Sequence, residues 1–219
     1  MTPIYHITHF QNLAGVLRAQ GLVCDEESAN KGFCKQSIGH AHIKERRARI
    51  RVIKNDGSPV GAGKTLSCYV PFYFTNRSPM LYSIHKGNVA GYEGRQNDVV
   101  YLVSSVEAVM ANQVCWCFTD GHAVEGLSEF YDELSDLSRI DWPVIESWKW
   151  SEPLQDPDRK RRKQAEFLVY RQFPWSLVSE LGVMDRNMLA RVESLIGGIS
   201  HRPSVKVQQS WYYHESNVH

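Results

Sequence analysis

The stretch RKRRKQAEFLVY, residues 159–170, joins five consecutive cations to a single carboxylate, Glu166, and then to a run of apolar residues. The β-branched and aromatic residues at 166–170 predict a buried strand. A carboxylate at the mouth of such a strand stands on a rigid element, beside a surface suited to a polyanion. The alternative is a solvated basic loop followed by an ordinary exposed glutamate. The stretch therefore predicts a core strand and leaves both interpretations of the charges open.

Length and composition indicate one large domain with a sizeable core. The chain has 219 residues, of which 42% are apolar, and two small domains are the alternative for this length. We expect a single domain spanning residues 1–219, without wholesale disorder. No internal repeat, low-complexity tract or linker divides the sequence.

Positive charge is concentrated in two places although the formal net charge is only +1. Residues 159–163 form one cluster. The other cluster contains Lys44, Arg46, Arg47, Arg49 and Arg51. Together the two clusters hold ten of the 25 cations, which predicts a local anion-binding face. A solvated helix would also explain the cluster at 44–51, whereas a phosphate-facing helix would explain why its charges are nearly all positive.

Cysteine spacing supports neither a zinc ribbon nor a redox motif. The five cysteines are Cys24, Cys34, Cys68, Cys115 and Cys117. They include no Cys-x-x-Cys pair, so we expect no metal, with a Cys34/His40/His42 site as the alternative. The N-terminus lacks a signal-peptide pattern, and no run of about 18 apolar residues is present. A reduced cytoplasmic protein without a membrane span is the expectation.

Hydrophobic patterns predict a strand-rich chain with helices between the strands. The predicted strands are residues 4–8, 67–74, 99–103, 114–119, 166–170 and 205–207. The predicted helices are residues 12–20, 40–51, 81–84, 106–111 and 185–196. Pro71 predicts an edge or a kink in its strand. Because strands outnumber βαβ units, we expect a mixed sheet surrounded by helices, the α+β class.

Two polar segments are predicted between the regular elements: residues 24–39 as a loop or a partly ordered flap, and residues 55–64 as a loop. The second is followed by a lysine and a threonine, as in a phosphate-binding P-loop. The first glycine of that pattern is replaced by Ser58 and no hydrophobic strand precedes it, so we reject this interpretation. In the predicted helix at 40–51, Arg47 and Arg51 are four residues apart and would share a face.

Six motifs occur in an order that is far more specific than any one of them. They are Tyr5-His6-Ile7-Thr8, Glu45-Arg46-Arg47, Val70-Pro71-Phe72-Tyr73-Phe74, Arg77-Ser78-Pro79-Met80-Leu81-Tyr82, Phe118-Thr119-Asp120 and Lys163-Gln164-Ala165-Glu166-Phe167-Leu168. Together they resemble DarT, a family of bacterial toxins that ADP-ribosylate DNA and belong to the ADP-ribosyltransferase superfamily. The resemblance runs from near Ile4 to at least Trp175. It implies a split, strand-rich α+β domain wrapped around NAD.

The resemblance also implies a reaction and the residues that carry it. ADP-ribose passes from NAD to a base, typically thymine, in single-stranded DNA, and nicotinamide is released. Glu166 matches the family's catalytic glutamate within a Gln-x-Glu motif, and Arg47 matches the essential arginine beside it, which also contacts NAD. His6 and Thr8 match the first strand of the NAD pocket. Tyr73 is expected to stack on the nicotinamide or close over it.

The resemblance to DarT extends to the DNA side of the site. Met80 and His122 resemble positions near the base-binding groove of the family, and Arg77 and Trp148 are the other expected substrate-binding residues. Trp148, Trp150 and Tyr131 offer rings on which bases could stack. The segment before the Arg47 helix resembles the NAD-covering loop, and residues 120–163 include the substrate loop. Gly121 departs from the family pattern, which has a basic residue there, so the DNA sequence context is left open.

The implied partners are single-stranded DNA and a DarG-like macrodomain antitoxin that reverses the modification. A monomer without membrane contact is expected. Two alternatives remain: a related transferase that acts on RNA or protein, and a nucleic-acid-binding module without activity in which Glu166 is structural. They differ in the acceptor and in the need for NAD.

Overall fold

A mixed sheet of eight strands runs through the chain, and the computed structural model describes residues 1–148 and 155–214. The strands are β1 (Pro3–His9), β2 (Gly21–Val23), β3 (Tyr69–Tyr73), β4 (Val99–Ser105), β5 (Trp116–Thr119), β6 (Phe130–Tyr131), β7 (Glu166–Tyr170), β8 (Gln172–Pro174), β9 (Glu180–Val183) and β10 (Ser204–Val207). The order in the main sheet is β10-β9-β4-β1-β3-β7-β5-β6, and β2 pairs with β8 separately. The β9–β10 pair is parallel and the remaining pairs are antiparallel.

Short helices surround the sheet. They are α1 (Leu13–Arg18), α2 (Asp25–Lys31), α3 (Ala41–Arg47), α4 (Pro79–His85), α5 (Val106–Ala111), α6 (Trp142–Glu146), α7 (Arg159–Lys163) and α8 (Arg186–Ile196). Short 3₁₀ helices lie at Phe10–Asn12, Leu66–Cys68, Gln96–Asp98, Leu134–Arg139, Trp175–Leu177 and Gln209–Trp211. This arrangement of a mixed sheet and helices confirms the predicted α+β class. Within the described ranges, no helix is long and apolar enough to cross a bilayer.

The strand predicted from the opening stretch lies inside the sheet, between β3 and β5. Its side chains alternate between two cores: Phe167 and Val169 pack into the largest hydrophobic cluster, and Leu168 packs into a second one on the opposite face. Both faces are therefore covered, which explains why the sequence of β7 is almost continuously apolar. The strand prediction is confirmed, and it places Glu166 at the first position of β7.

Pro71 divides the sheet. Five residue pairs join β3 to β7, whereas β1 and β3 share only the pair Tyr5↔Tyr73. The Pro71 carbonyl accepts a hydrogen bond from Nδ1 of His6 on β1 at 2.8 Å, so the edge of β3 that lacks an N–H faces β1. The predicted edge position of Pro71 is wrong, because β3 is an interior strand that pairs fully on one side only.

Two other predictions of local structure are corrected. Residues 24–39 are not wholly a loop, because they contain α2, whose first turn carries Asp25, Glu26 and Glu27 at the end where negative charge is stabilising. The helix predicted at 40–51 ends at Arg47.

The chain leaves the helical path after Arg47 because it pairs with residues further along. Leu66 N–H donates to the Ile50 carbonyl at 2.9 Å, and Val52 N–H donates to the Lys64 carbonyl at 2.9 Å. These contacts bury Val52 and Leu66 completely. The prediction that Arg47 and Arg51 share a helix face is therefore wrong, because Arg51 lies beyond the end of α3.

Candidate active site

Arg47 and Glu166 form a buried ion pair where the last turn of α3 meets the start of β7. Arg47 Nη1 lies 2.7 Å from Glu166 Oε2, and the two side chains are 7% and 3% exposed. The other carboxylate oxygen, Oε1, accepts from the backbone N–H of Ala123 at 3.0 Å. The Glu166 N–H donates to Thr119 Oγ1 at 3.1 Å. The carboxylate is thus held from two sides by elements far apart in sequence.

Arg47 is charged and has N–H donors that Glu166 does not use. Burial alone would lower the pKa of Arg47, but the adjacent Glu166 carboxylate outweighs it and raises that pKa, so the guanidinium is charged. Its Nε and Nη2 atoms are buried and have no hydrogen-bond partner among residues 1–148 and 155–214. Buried donors are normally satisfied. The two N–H groups are therefore suited to a phosphate or carbonyl oxygen of a ligand.

Tyr73 and His122 border the ion pair as neutral groups. Tyr73 lies opposite Glu166 in the β3–β7 ladder, and burial together with the Glu166 charge raises the pKa of its phenol. The Tyr73 hydroxyl lies 3.7 Å from Met80 Sδ. Burial lowers the pKa of His122, which stands in the β5–β6 loop (residues 120–129). Both rings can donate or accept hydrogen bonds without adding charge to the site.

A cavity of about 620 Å³ opens beside the ion pair, a size typical of small-molecule sites. The predicted residues that line it are Arg47, Tyr73, Met80, His122 and Glu166. A second cavity of about 160 Å³ contains His6 and Thr8. The two cavities share lining residues, Asp25, Gly39, Lys44, Pro71 and Met80, and so form one cleft along the split between β1 and β3.

His6 is fixed in one tautomer within this cleft. Its Nδ1 faces the Pro71 carbonyl, which can only accept, so the proton lies on Nδ1. Burial lowers the pKa of His6, although the carbonyl contact opposes that effect. The neutral ring consequently has Nε2 as a hydrogen-bond acceptor.

Arg77 and Trp148 lie away from Glu166. The Arg77 guanidinium stacks on the Trp148 ring, 3.6 Å from its centroid, and donates to the Ser210 carbonyl. The two residues line a separate groove of about 380 Å³ that also contains Lys163. Trp148 is 62% exposed. Trp150 falls outside the described residues.

The basic run at 159–163 is largely neutralised by aspartates. Its ion pairs are Arg159–Asp156, Arg161–Asp120, Arg161–Asp158, Arg162–Asp141, Arg162–Asp156 and Arg162–Asp158. Lys163 is buried and donates to the carbonyls of Ile145 and Ser147. Lys160 is exposed and lines the larger cavity, and it has no ion pair with the residues at 1–148 and 155–214. The expected open anion-binding face is therefore wrong for most of this cluster.

The cluster at 44–51 is also largely paired. Lys44 lies 3.2 Å from Asp25, and Arg46 lies 3.2 Å from Glu125. Arg47 is paired with Glu166. No group of three His, Cys, Asp or Glu side chains suited to a metal occurs in the described part of the chain, so Cys34, His40 and His42 do not form the alternative metal site.

Two residues that contribute to the site, Ala123 and Asn12, were not predicted from the sequence. Ala123 acts through its backbone N–H, which leaves no side-chain signal in the sequence. Asn12 binds Thr8 and the segment that covers the smaller cavity. The available signal was a polar amide four residues after Thr8, just beyond the end of β1.

Comparison with known proteins identifies the class. Residues 5–213 match the family model described as "ssDNA thymidine ADP-ribosyltransferase, DarT". The chain therefore belongs to the DarT family of ADP-ribosyltransferases, and the family and enzyme class predicted from the motifs are confirmed.

Relatives match over nearly the whole chain. A "DNA ADP-ribosyl transferase" of Thermus sp. (strain 2.9) is 41% identical over 214 residues, which are 97% of this chain and 96% of the relative. The structure of Thermus sp. 2.9 DarT in complex with ADP-ribosylated ssDNA has a TM-score of 0.89 at 40% identity, with 97% and 96% of the two chains covered. The same protein in complex with NAD+ gives 0.85 at 38% identity, with 97% and 98% covered.

Proposed function

We propose that this chain transfers ADP-ribose from NAD+ to thymine in single-stranded DNA and releases nicotinamide. The observation that carries the proposal is the buried Arg47–Glu166 pair beside a ligand-sized cleft, in a chain of the DarT family. Solved structures of a relative that shares about 40% of its residues contain NAD+ in one case and ADP-ribosylated ssDNA in another. We therefore assign NAD+ and single-stranded DNA as the two substrates.

Glu166 acts at the reacting centre. When the bond from the nicotinamide nitrogen to the ribose carbon breaks, positive charge develops on the ribose, and the carboxylate stabilises it. A base nitrogen then forms the new bond to that carbon, and Glu166 accepts the proton that leaves the nitrogen. The carboxylate can do so while bound to Arg47 and Ala123, because each of its oxygens has a second lone pair.

Arg47 holds the carboxylate and binds ligand oxygens. One guanidinium nitrogen is committed to Glu166, and the unpartnered Nε and Nη2 donate to the pyrophosphate or to the base carbonyl. A lysine has one ammonium centre and could not span both roles.

The remaining predicted residues bind different parts of the two substrates. His6 and Thr8 bind the nicotinamide riboside end of NAD+ from β1, and Tyr73 closes over the ring. Met80 and His122 border the acceptor base in the larger cavity. Arg77 and Trp148, in their separate groove, contact DNA away from the reacting base.

Mass spectrometry of a short oligonucleotide tests the reaction. A thymine-containing single strand incubated with the protein and NAD+ gains one ADP-ribose, and a matched strand without thymine does not. Labelled NAD+ offered with RNA and with a protein extract separates the alternative acceptors in the same experiment. Labelled RNA or protein with unlabelled DNA would contradict the assigned acceptor. Absence of any NAD+-dependent thermal shift would favour a binding module without activity.

The biological setting follows from the same proposal. A transferase that blocks thymine in single-stranded DNA is toxic, and a DarG-like macrodomain antitoxin removes the modification. The transferase works as a monomer in the cytoplasm, where NAD+ and DNA are both present. Co-expression with a DarG-like macrodomain is expected to restore growth, and growth arrest that persists in spite of an active macrodomain would contradict this partner.

A further inference from the structure

Asn12 is a buried amide that joins β1 to the covering segment, which we define as residues 32–40 between α2 and α3. Its side chain is 6% exposed. Nδ2 donates to Thr8 Oγ1 at 3.1 Å and to the Gln36 carbonyl at 2.8 Å. Oδ1 accepts from the N–H groups of Lys35 and Gln36 at 2.8 and 2.9 Å. Two donors and two lone pairs are thus all used.

The covering segment has no regular secondary structure to hold it. Residues of this segment line the smaller cavity together with His6 and Thr8. Its backbone approaches α1 closely at Gly15, where a Cβ atom would lie 2.3 Å from the Phe33 carbonyl oxygen. Asn12 supplies the hydrogen bonds at this point of approach, and so fixes the distance between the covering segment and β1.

Asn12 also determines which way the Thr8 hydroxyl donates. Thr8 Oγ1 accepts from Asn12, so its own hydrogen is available for a different partner. Thr8 borders the smaller cavity. The hydroxyl therefore faces a ligand as a donor, suited to a carbonyl or hydroxyl oxygen.

We propose that Asn12 is a positioning residue for NAD+, which orients the Thr8 hydroxyl as a donor and holds residues 34–36 as the wall of the dinucleotide end of the cleft. This inference rests on the proposed function, since it takes NAD+ as the occupant of that end. Asn12 touches neither the reacting atoms nor the ion pair of Arg47 and Glu166. Its influence on the reaction is confined to NAD+ affinity.

The Asn12→Asp variant tests the role with little change in shape. The remaining oxygen still accepts from Lys35 and Gln36, whereas the donor to Thr8 and to the Gln36 carbonyl is lost. Loss of these hydrogen bonds is expected to raise the Kd and KM for NAD+ roughly tenfold or more. The KM for the oligonucleotide and kcat should change little. The matched control is Asn112→Asp on the surface. It removes the hydrogen bond from Nδ2 to the Ala108 carbonyl and should leave all four constants unchanged.

Calorimetric titration with NAD+ alone separates this inference from the proposed reaction, because binding needs no acceptor. In a Thr8→Val background, Asn12→Asp should raise the Kd less than it does alone, since the hydroxyl it orients is gone. An unchanged Kd, or equal rises in both backgrounds, would overturn the proposal. If Asn12→Asp does not fold, Thr8→Val and Thr8→Ser decide instead: weaker NAD+ binding in Thr8→Val alone supports the oriented hydroxyl, and equal binding refutes it.

Discussion

Replacing Glu166 by glutamine separates the catalytic role of the carboxylate from its role in balancing buried charge. Glutamine can still accept a hydrogen bond from the Ala123 N–H, but it leaves Arg47 without a counterion. The pair is 7% and 3% exposed, and removing one partner of such a buried pair costs about 3–5 kcal/mol. With a urea m-value of about 2–3 kcal/mol/M, the unfolding midpoint should fall by roughly 1–2.5 M.

Activity and stability respond differently in a second variant. Arg47→Met combined with Glu166→Leu removes both charges and keeps the volume, so its midpoint should equal or exceed that of the wild type. Neither variant should modify the oligonucleotide at a normal rate, because loss of a general base alone costs about 10²–10⁴-fold. Urea titration and mass spectrometry of the oligonucleotide supply the two readouts.

Three results would refute this reasoning. If Glu166→Gln unfolded at the wild-type urea midpoint, the stability of the fold would not depend on pairing the Arg47 charge with Glu166. An equal loss of stability in the double variant would assign the effect to packing rather than to an unpaired charge. Wild-type transfer by Glu166→Gln would remove Glu166 from the reaction.

Other expected outcomes concern the surroundings of the site. Gly121→Val places a Cβ 2.2 Å from Nη1 and 3.0 Å from Cγ of Arg161, a side chain that ion pairs with Asp120 and Asp158 hold in place. It should cost about 1–3 kcal/mol in urea unfolding, whereas Gly126→Val, with no neighbour within 4 Å, should cost nothing measurable; equal midpoints would contradict this. Burial lowers the pKa of His6, so the unfolded chain binds its proton first and the free energy of unfolding falls as the pH drops below 6.5. His6→Gln should reduce that fall, measured by urea titration at about pH 7.5 and 5.5, and an unchanged fall would count against a buried neutral ring. Burial lowers the pKa of Lys163 to about 8, so its contribution to the free energy of unfolding rises between about pH 8 and 10.5. Buried cysteines and tyrosines with raised pKa values act in the opposite direction, but they do so equally in the wild type and in Lys163→Met. The free energy of unfolding of the wild type minus that of Lys163→Met should therefore increase over this range, and a constant difference in parallel urea titrations would argue against it.

The sequence predicted the parts of the site that stand on regular elements. The apolar run after Glu166 indicated an interior strand, and the motif order indicated that Glu166 and Arg47 belong together, although 119 positions separate them. Their distance, and the backbone donor at Ala123, depend on how α3 and the β5–β6 loop pack on the sheet. No local pattern specifies such packing.

The basic run at 159–163 led to a wrong prediction, that of an open anion-binding face. Five adjacent cations indicated a polyanion surface, but Asp156 and Asp158 stand just before them, and Asp158 is three and four residues from Arg161 and Arg162. That spacing brings opposite charges together in a helical turn, and it could have been read from the sequence. The pairings of Arg161 with Asp120 and of Arg162 with Asp141 are long-range and could not.

Pro71 has a further mechanical effect. The half-sheet that ends in β1 and the half-sheet that begins with β3 are registered only at Tyr5↔Tyr73. A rotation of one half against the other can widen the cleft at the cost of the His6–Pro71 contact and few backbone bonds, while each half keeps its own ladder intact. Because Pro71 has no N–H to donate, the two half-sheets are joined by fewer backbone pairs than hold either half together.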